Sequence, residues 1–246
     1  MADSWLRLSD TEFFLLWDAA ELGEPPAVLN LRHIGRTRAE RTDLAERASD
    51  DLLDRGLGTV HRPADDLAEI IQALGHRELT LALAAEWREG RFRALAVKGR
   101  EGAAIAVLGG TEVALRPLRP TALVDTLVEE LRPLPAGPGV TANVSWSDYL
   151  RACKEGELDG IDTFLWVLRD TGMRIAEART IARVVTERHG AGQVDIGGRV
   201  GQASDTINWI DTAEGRYVLR RRGDWLSVIP ANSAKLSQLI TESLPA

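Results

Sequence analysis

Cysteine is almost missing from this 246-residue sequence, with Cys153 as the single thiol. No intramolecular disulfide can form, and one thiol cannot build a cysteine zinc cluster. Histidine is scarce as well. The four residues His33, His61, His76 and His189 have no second histidine or cysteine at ligand spacing, so the pattern of a zinc site is missing. No apolar run approaches the roughly 20 residues that span a bilayer. The longest lies around Phe13–Trp17. Met1–Leu8 lacks a basic segment followed by an apolar stretch, so no secretory signal is read and the expected location is the cytoplasm. Positive charge is in deficit: 30 Lys and Arg against 37 Asp and Glu give a net charge of −7. That argues against a nucleic-acid binder working by bulk charge, which needs clustered Lys and Arg.

What remains is the composition of an ordinary globular protein, with 44% hydrophobic and 27% charged residues. Ser9-Asp10-Thr11-Glu12 is a capping-box sequence, and Phe13, Leu16, Trp17 and Ala20 follow at helical spacing up to Gly23 and Pro25-Pro26. Ala27–Leu31 reads as a short strand or an extended connector. Thr37-Arg38-Ala39-Glu40 opens a second helix that runs to Arg55 and Gly56, its charged face read as solvated. A third follows Pro63.

The period then changes from 3.6 to 2. Leu79–Trp87, Phe92–Lys98, Ala103–Leu108 and Glu112–Leu118 read as a four-stranded antiparallel meander, and a helix starts at Pro120. Pro133–Gly139 is the clearest linker signal. Beyond it come a short helix capped by Ser145 or Ser147, one around Ile161–Leu168, and one over Arg174–His189, where His189 complements the C-terminal dipole. Strands over Gln193–Arg199, Ala203–Asp211, Arg216–Arg222 and Asp224–Ile229 precede a last helix with Leu236, Leu239 and Ile240.

Both halves therefore repeat one order: helices, a meander, a terminal helix. Thr121–Glu130 aligns with Ser233–Glu242 without a gap, and Gly90-Arg91-Phe92 corresponds to Gly215-Arg216-Tyr217. The expected fold is α+β, a pseudo-two-fold repeat of helices, four-stranded antiparallel meander and terminal helix, with helices flanking the sheets. The expected division is residues 1–132, a linker at 133–142, and residues 143–246.

A search for chemistry finds no catalytic constellation. Gly197-Gly198-Arg199-Val200-Gly201 lacks the Lys-Ser/Thr of a phosphate loop and is not followed by a helix. Arg220-Arg221-Arg222 is the single basic cluster, and alternation sets Arg220 and Arg222 on one face with Arg221 on the other. Tryptophan is the conspicuous aromatic, 7 against 2 Tyr and 4 Phe. Trp and Arg are enriched at protein–protein hot spots. A binding surface is therefore favoured over an active site, with Trp87, Trp209, Tyr217, Arg220, Arg222 and Trp225 as partner-binding candidates. A nucleic-acid-associated or regulatory module using Gly197–Gly201 and Arg220–Arg222 is the alternative, and a small-molecule enzyme a third reading.

Three stretches resemble the EspG family of ESX (type VII) secretion-associated proteins of actinobacteria. They are Leu8-Ser9-Asp10-Thr11-Glu12-Phe13 with Leu16-Trp17 and Leu22-Gly23-Glu24-Pro25-Pro26; the helix ending Leu52-Leu53-Asp54-Arg55-Gly56-Leu57; and Gly215-Arg216-Tyr217-Val218, Arg221-Arg222 and Asp224–Pro230 before the last helix. The resemblance implies a non-enzymatic cytosolic chaperone without cofactor. Its partner would be a PE–PPE heterodimer whose aggregation-prone tip it covers before export. Nucleic acid and membrane insertion are not expected, and a homodimer is left open.

Overall fold

Ser9 and Ser145 each end a four-residue strand and cap the helix that starts at the next residue. Each hydroxyl accepts the amide hydrogen three residues on, from Glu12 and from Asp148, both at 3.1 Å. In the first case the Glu12 carboxylate accepts the Ser9 amide in return, at 2.7 Å, completing the capping box read from sequence. The computed structural model describes residues 5–31, 34–35, 37–100, 102–198 and 205–245.

In chain order the first elements are β1 (Leu6–Ser9), α1 (Asp10–Ala19), α2 (Arg38–Asp54), α3 (Asp65–Gly75), β2 (Arg77–Trp87), β3 (Gly90–Gly99), β4 (Ala103–Gly109), β5 (Glu112–Leu118) and α4 (Leu123–Glu129). They are followed by β6 (Ala142–Ser145), α5 (Trp146–Asp159), α6 (Ile161–Asp170), α7 (Ile175–Thr186), β7 (Gly190–Gly197), β8 (Asp205–Thr212), β9 (Gly215–Arg222), β10 (Trp225–Pro230) and α8 (Ser233–Glu242). The fold is α+β. The strand orders are β1-β5-β4-β3-β2 and β7-β8-β9-β10-β6. The paired strands whose registers are defined run antiparallel, β1 with β5 and β6 with β10 among them.

Compactness divides the chain into two units. One holds Met1–Ala84, Phe92–Leu127 and Asp195–Ser204; the other holds Ala85–Arg91, Val128–Val194 and Asp205–Ala246. In the first unit, Leu95 and Val97 of β3, Ala104 and Ala106 of β4, and Val113 and Leu115 of β5 alternate inward onto α1, α2 and α3. In α1 every residue from Glu12 to Trp17 is buried, so this helix is enclosed rather than amphipathic. In the second unit Ala142, Val144, Tyr217, Leu226 and Val228 face Phe164, Val167, Leu168 and Ile181 of α6 and α7.

Several expectations change. Ala27–Leu29 is a 3-10 turn rather than a strand, ended by Asn30 in the left-handed region at φ 45°. The charged face of α2 is partly engaged. Arg55 pairs with the buried Glu12 and donates to the Arg7 carbonyl at 2.7 Å, and Arg41 pairs with Asp18 at 3.4 Å. α5 extends to Asp159, past the expected end near Lys154. α7 ends at Thr186, so His189 lies beyond the helix; its Nδ1 sits 2.8 Å from the Glu187 carbonyl and its amide donates to Asp211.

The Pro/Gly stretch is not a free linker. The Arg216 amide donates to the Pro135 carbonyl and the Gly137 amide to the Arg216 carbonyl, both at 3.0 Å, forming a parallel bridge between Ala136 and Arg216. A Cβ on Gly137 would lie 2.1 Å from the Tyr217 ring. Composition announces irregular backbone here; the missing side chain at Gly137 is what lets that backbone lie flat on β9.

Candidate binding surface on the second unit

The six sequence candidates separate by burial. Trp209 and Tyr217 are buried at 1% and 0% exposure and belong to the packed interior, not to a contact surface. Tyr217 lies on β9, where successive residues of both faces are buried, which alternation alone cannot reveal, while Trp209 takes an inward position of the alternating strand β8. Trp209 is flanked by Gly192, where a Cβ would meet its indole at 2.1 Å, and by the Arg216 guanidinium, 5.6 Å from the ring centroid. The Tyr217 hydroxyl donates to the Pro138 carbonyl at 2.8 Å. Burial pushes the Tyr217 phenol above its ordinary value, with Arg183 opposing.

Trp87 is half-buried, its indole N–H donating to Asp211 Oδ2 at 2.9 Å. It rests against Gly190, where a Cβ would lie 2.1 Å away. Arg220 is also committed. Its Nη2 donates to Ser243 Oγ at 2.6 Å and to Asp205 Oδ2 at 3.3 Å, tying β9 to the end of α8. Burial raises the Asp205 pKa, but hydrogen bonds from the Ser243 hydroxyl and the Thr206 amide, with the Arg220 charge, hold it below the ordinary value.

Arg222 and Trp225 remain exposed, Trp225 at 57%, and they are cross-strand partners in the β9–β10 hairpin. Trp225 also pairs with Ser145 of β6. On the opposite face Arg221 lies over the Trp146 ring at 4.5 Å, and Trp146 packs against Tyr149 at 5.5 Å between centroids. The Arg triplet is thus divided three ways: Arg220 to α8, Arg221 to Trp146, Arg222 to the surface.

The face carrying Arg221 is the one whose Tyr217, Leu226 and Val228 pack on α6 and α7. Asn208 of β8 is exposed opposite the half-buried Leu219, and Ile210 is half-buried opposite Tyr217. Helices α5 and α6 carry outward apolar side chains of their own, with Leu158 76% and Trp166 63% exposed. Ile161, expected inside a helical face, is exposed at the start of α6. Sequence reading missed Arg221 and Trp146 as a pair because their contact joins a strand end to a helix start 75 positions away in the chain. These side chains offer stacking, cation–π contact and apolar area, the means by which protein surfaces bind other proteins.

Among the described residues, no group of three or more His, Cys, Asp or Glu is placed to hold a metal ion. No described helix is long and apolar enough to cross a membrane. Of the glycine-rich stretch, β7 takes in Gly197, while Arg199, Val200 and Gly201 lie outside the described residues, as does His33.

A family model described as the EspG family matches residues 9–242. Among solved structures, the chain is similar to the Mycobacterium tuberculosis type VII secretion system chaperone EspG5, determined in complex with a PE25–PPE41 dimer. The identity is 15%, the match covers 98% of this chain and 97% of that chain, and the TM-score is 0.71. That likeness shows a shared α+β fold in which helices flank an antiparallel sheet. No curated protein matches the sequence.

Proposed function

The chain belongs to the EspG family, and from that premise we propose that it is a cytosolic, non-enzymatic chaperone of a type VII (ESX) secretion system. It binds the apolar tip of PE–PPE-type heterodimers and keeps them soluble before export. The observation that carries this reading is the end-to-end correspondence in fold with a chaperone whose structure was determined holding a PE–PPE pair. The second unit supplies suitable chemistry. Trp225, Arg222 and the Arg221–Trp146 stack combine exposed aromatic area with cations, the side chains that dominate hot spots. An exposed apolar helical tip is an association hazard, and a modest reversible cover removes it. Of the original candidates, Arg222 and Trp225 are the proposed contacts, with Trp87 as a half-buried flank.

We further propose that the chain is a pseudo-two-fold repeat, residues 1–132 and 143–246 forming its halves. The support is the recurrence of one element order: a four-residue strand, a Ser-capped helix, further helices, a four-stranded meander and a closing helix. In each half the short strand pairs with the last strand of the meander.

The test is co-expression with PE–PPE pairs and size-exclusion chromatography with light scattering. A soluble 1:1:1 complex with at least one pair is expected. Separate elution from every pair, over a broad panel, overturns the reading.

A further inference from the structure

The first unit carries a second surface that the client-binding reading does not use. A groove of about 900 Å³ runs along α2 from Thr37 to Leu53. Leu15 and Ala19 of α1 and Ala45 of α2 supply apolar wall, and the turn Thr59–His61 closes one side. The turn is fixed. Thr59 and Arg62 exchange backbone hydrogen bonds, Gly58 and Pro63 form a bridge, and the Val60 amide donates to Ser49 Oγ at 3.1 Å. The groove is therefore preformed, which lowers the ordering cost of filling it.

Its described lining is acidic in balance. Among the described residues that line it, Asp18, Glu46 and Asp50 stand against one guanidinium, Arg41, which already pairs with Asp18. Glu46 and Asp50 are both exposed, stand one helical turn apart on α2, and make no ion pair among the described residues. Like charges at this spacing weaken a helix. At the end of the same row Leu53 is 54% exposed, an apolar side chain on a helix whose other outward positions are largely charged. From Thr42 to Leu53 the row is about 16 Å long, about three turns of a facing helix.

We propose that this groove is a docking site for a basic amphipathic helix of a second protein, separate from the client surface on the other unit. The apolar stripe of that helix covers Ala45 and Leu53, and its flanking Lys or Arg side chains neutralise Glu46 and Asp50. The helix-in-groove mode uses apolar anchors at i, i+3, i+4 and i+7, and this floor and length suit it. Neutralising two adjacent carboxylates also relieves their mutual repulsion on α2, so charge complementarity favours a cationic occupant over a neutral or acidic one.

The experiment uses the full chain and a fluorescein-labelled synthetic peptide of about four helical turns, with Leu at i, i+3, i+4 and i+7 and Lys or Arg elsewhere. A second peptide replaces each basic residue by Glu. By fluorescence anisotropy the basic peptide is expected to bind saturably and the acidic one not to bind. The charge reversal E46K/D50K and, separately, L53E should each weaken binding roughly tenfold or more. The reversal E157K/D159K on α5 and the substitution W225A should leave it unchanged. Circular dichroism confirms folding, and E46Q/D50N replaces the reversal if that variant does not fold. Equal loss with the α5 reversal would reduce the effect to bulk charge and overturn the proposal, as would equal binding of the acidic peptide or no saturation. Sedimentation showing a dimer that L53E dissociates would assign the groove to a second copy and overturn it too. Because W225A marks the client surface, a failed client test and a failed groove test remain distinguishable.

Discussion

Asp211 and Arg216 face each other across the β8–β9 hairpin and form a bidentate ion pair, with Nε to Oδ1 at 2.7 Å and Nη2 to Oδ2 at 3.1 Å. Both side chains are buried, and Asp211 also receives the Trp87 indole N–H. A buried charge that loses its partner costs far more than the pair contributes. Arg216→Ala is expected to destabilise the protein by about 3–5 kcal/mol, and Asp211→Leu combined with Arg216→Met to recover part of that loss. Urea denaturation of the two variants checks this; an Arg216→Ala midpoint equal to wild type would contradict it.

The strap over β9 predicts a steric result. Gly137→Ala places a methyl group against the Tyr217 ring and should cost about 1–3 kcal/mol through overpacking. Gly109→Ala is the control, since no atom lies within 4 Å of its Cβ position and its backbone is not left-handed. The same melts should show the control within about 0.5 kcal/mol of wild type.

Alkaline titration reports on Tyr149, whose phenol is pushed up to about 12 by burial and by its hydrogen bond and charge coupling with Cys153. The unfolded phenol titrates near 10. Between those values the unfolded chain releases a proton that the folded chain keeps, so this group's contribution to stability falls as pH rises from about 10 to about 12. The chain has two tyrosines, and Tyr217 is also raised. The tyrosinate absorbance of the folded protein should therefore lag behind that of the denatured protein. Coincident curves would contradict the burial argument.

Surface residues should behave differently. Trp225→Ala is expected to weaken a PE–PPE complex by about 1–2 kcal/mol. Because the ring is largely exposed, the urea midpoint should not move. Isothermal titration against the same client, beside the melts, separates the two effects; a lowered midpoint with unchanged affinity would make Trp225 a folding residue.

How much was legible follows from which forces act locally. Capping boxes at Ser9 and Thr37 satisfy backbone donors within four residues, and both occur as read. The meander was visible because its alternation and its turns are also local. The strands Leu6–Ser9 and Ala142–Ser145 were not, since four residues carry too little alternation to stand out beside the helices they precede. The burial of Arg216 is not legible in sequence, because a charged strand residue ordinarily faces water and its burial depends on Asp211 and on a strap that composition presents as a spacer. Likewise, parity set Arg220 beside Arg222, but the last turn of α8, through Ser243, covers one and not the other.

The brevity of β1 and β6 has a bearing on how a client could be held. These strands end their respective rows, and each gives way to a helix after four residues. They offer an incoming chain almost no backbone template, which denies a foothold to runaway edge-to-edge polymerisation. For a chaperone of the kind proposed above, being a poor seed itself is an advantage. Recognition is then left to side chains on faces, and selectivity among clients can drift by surface substitution while the hydrogen-bonded frame stays as it is.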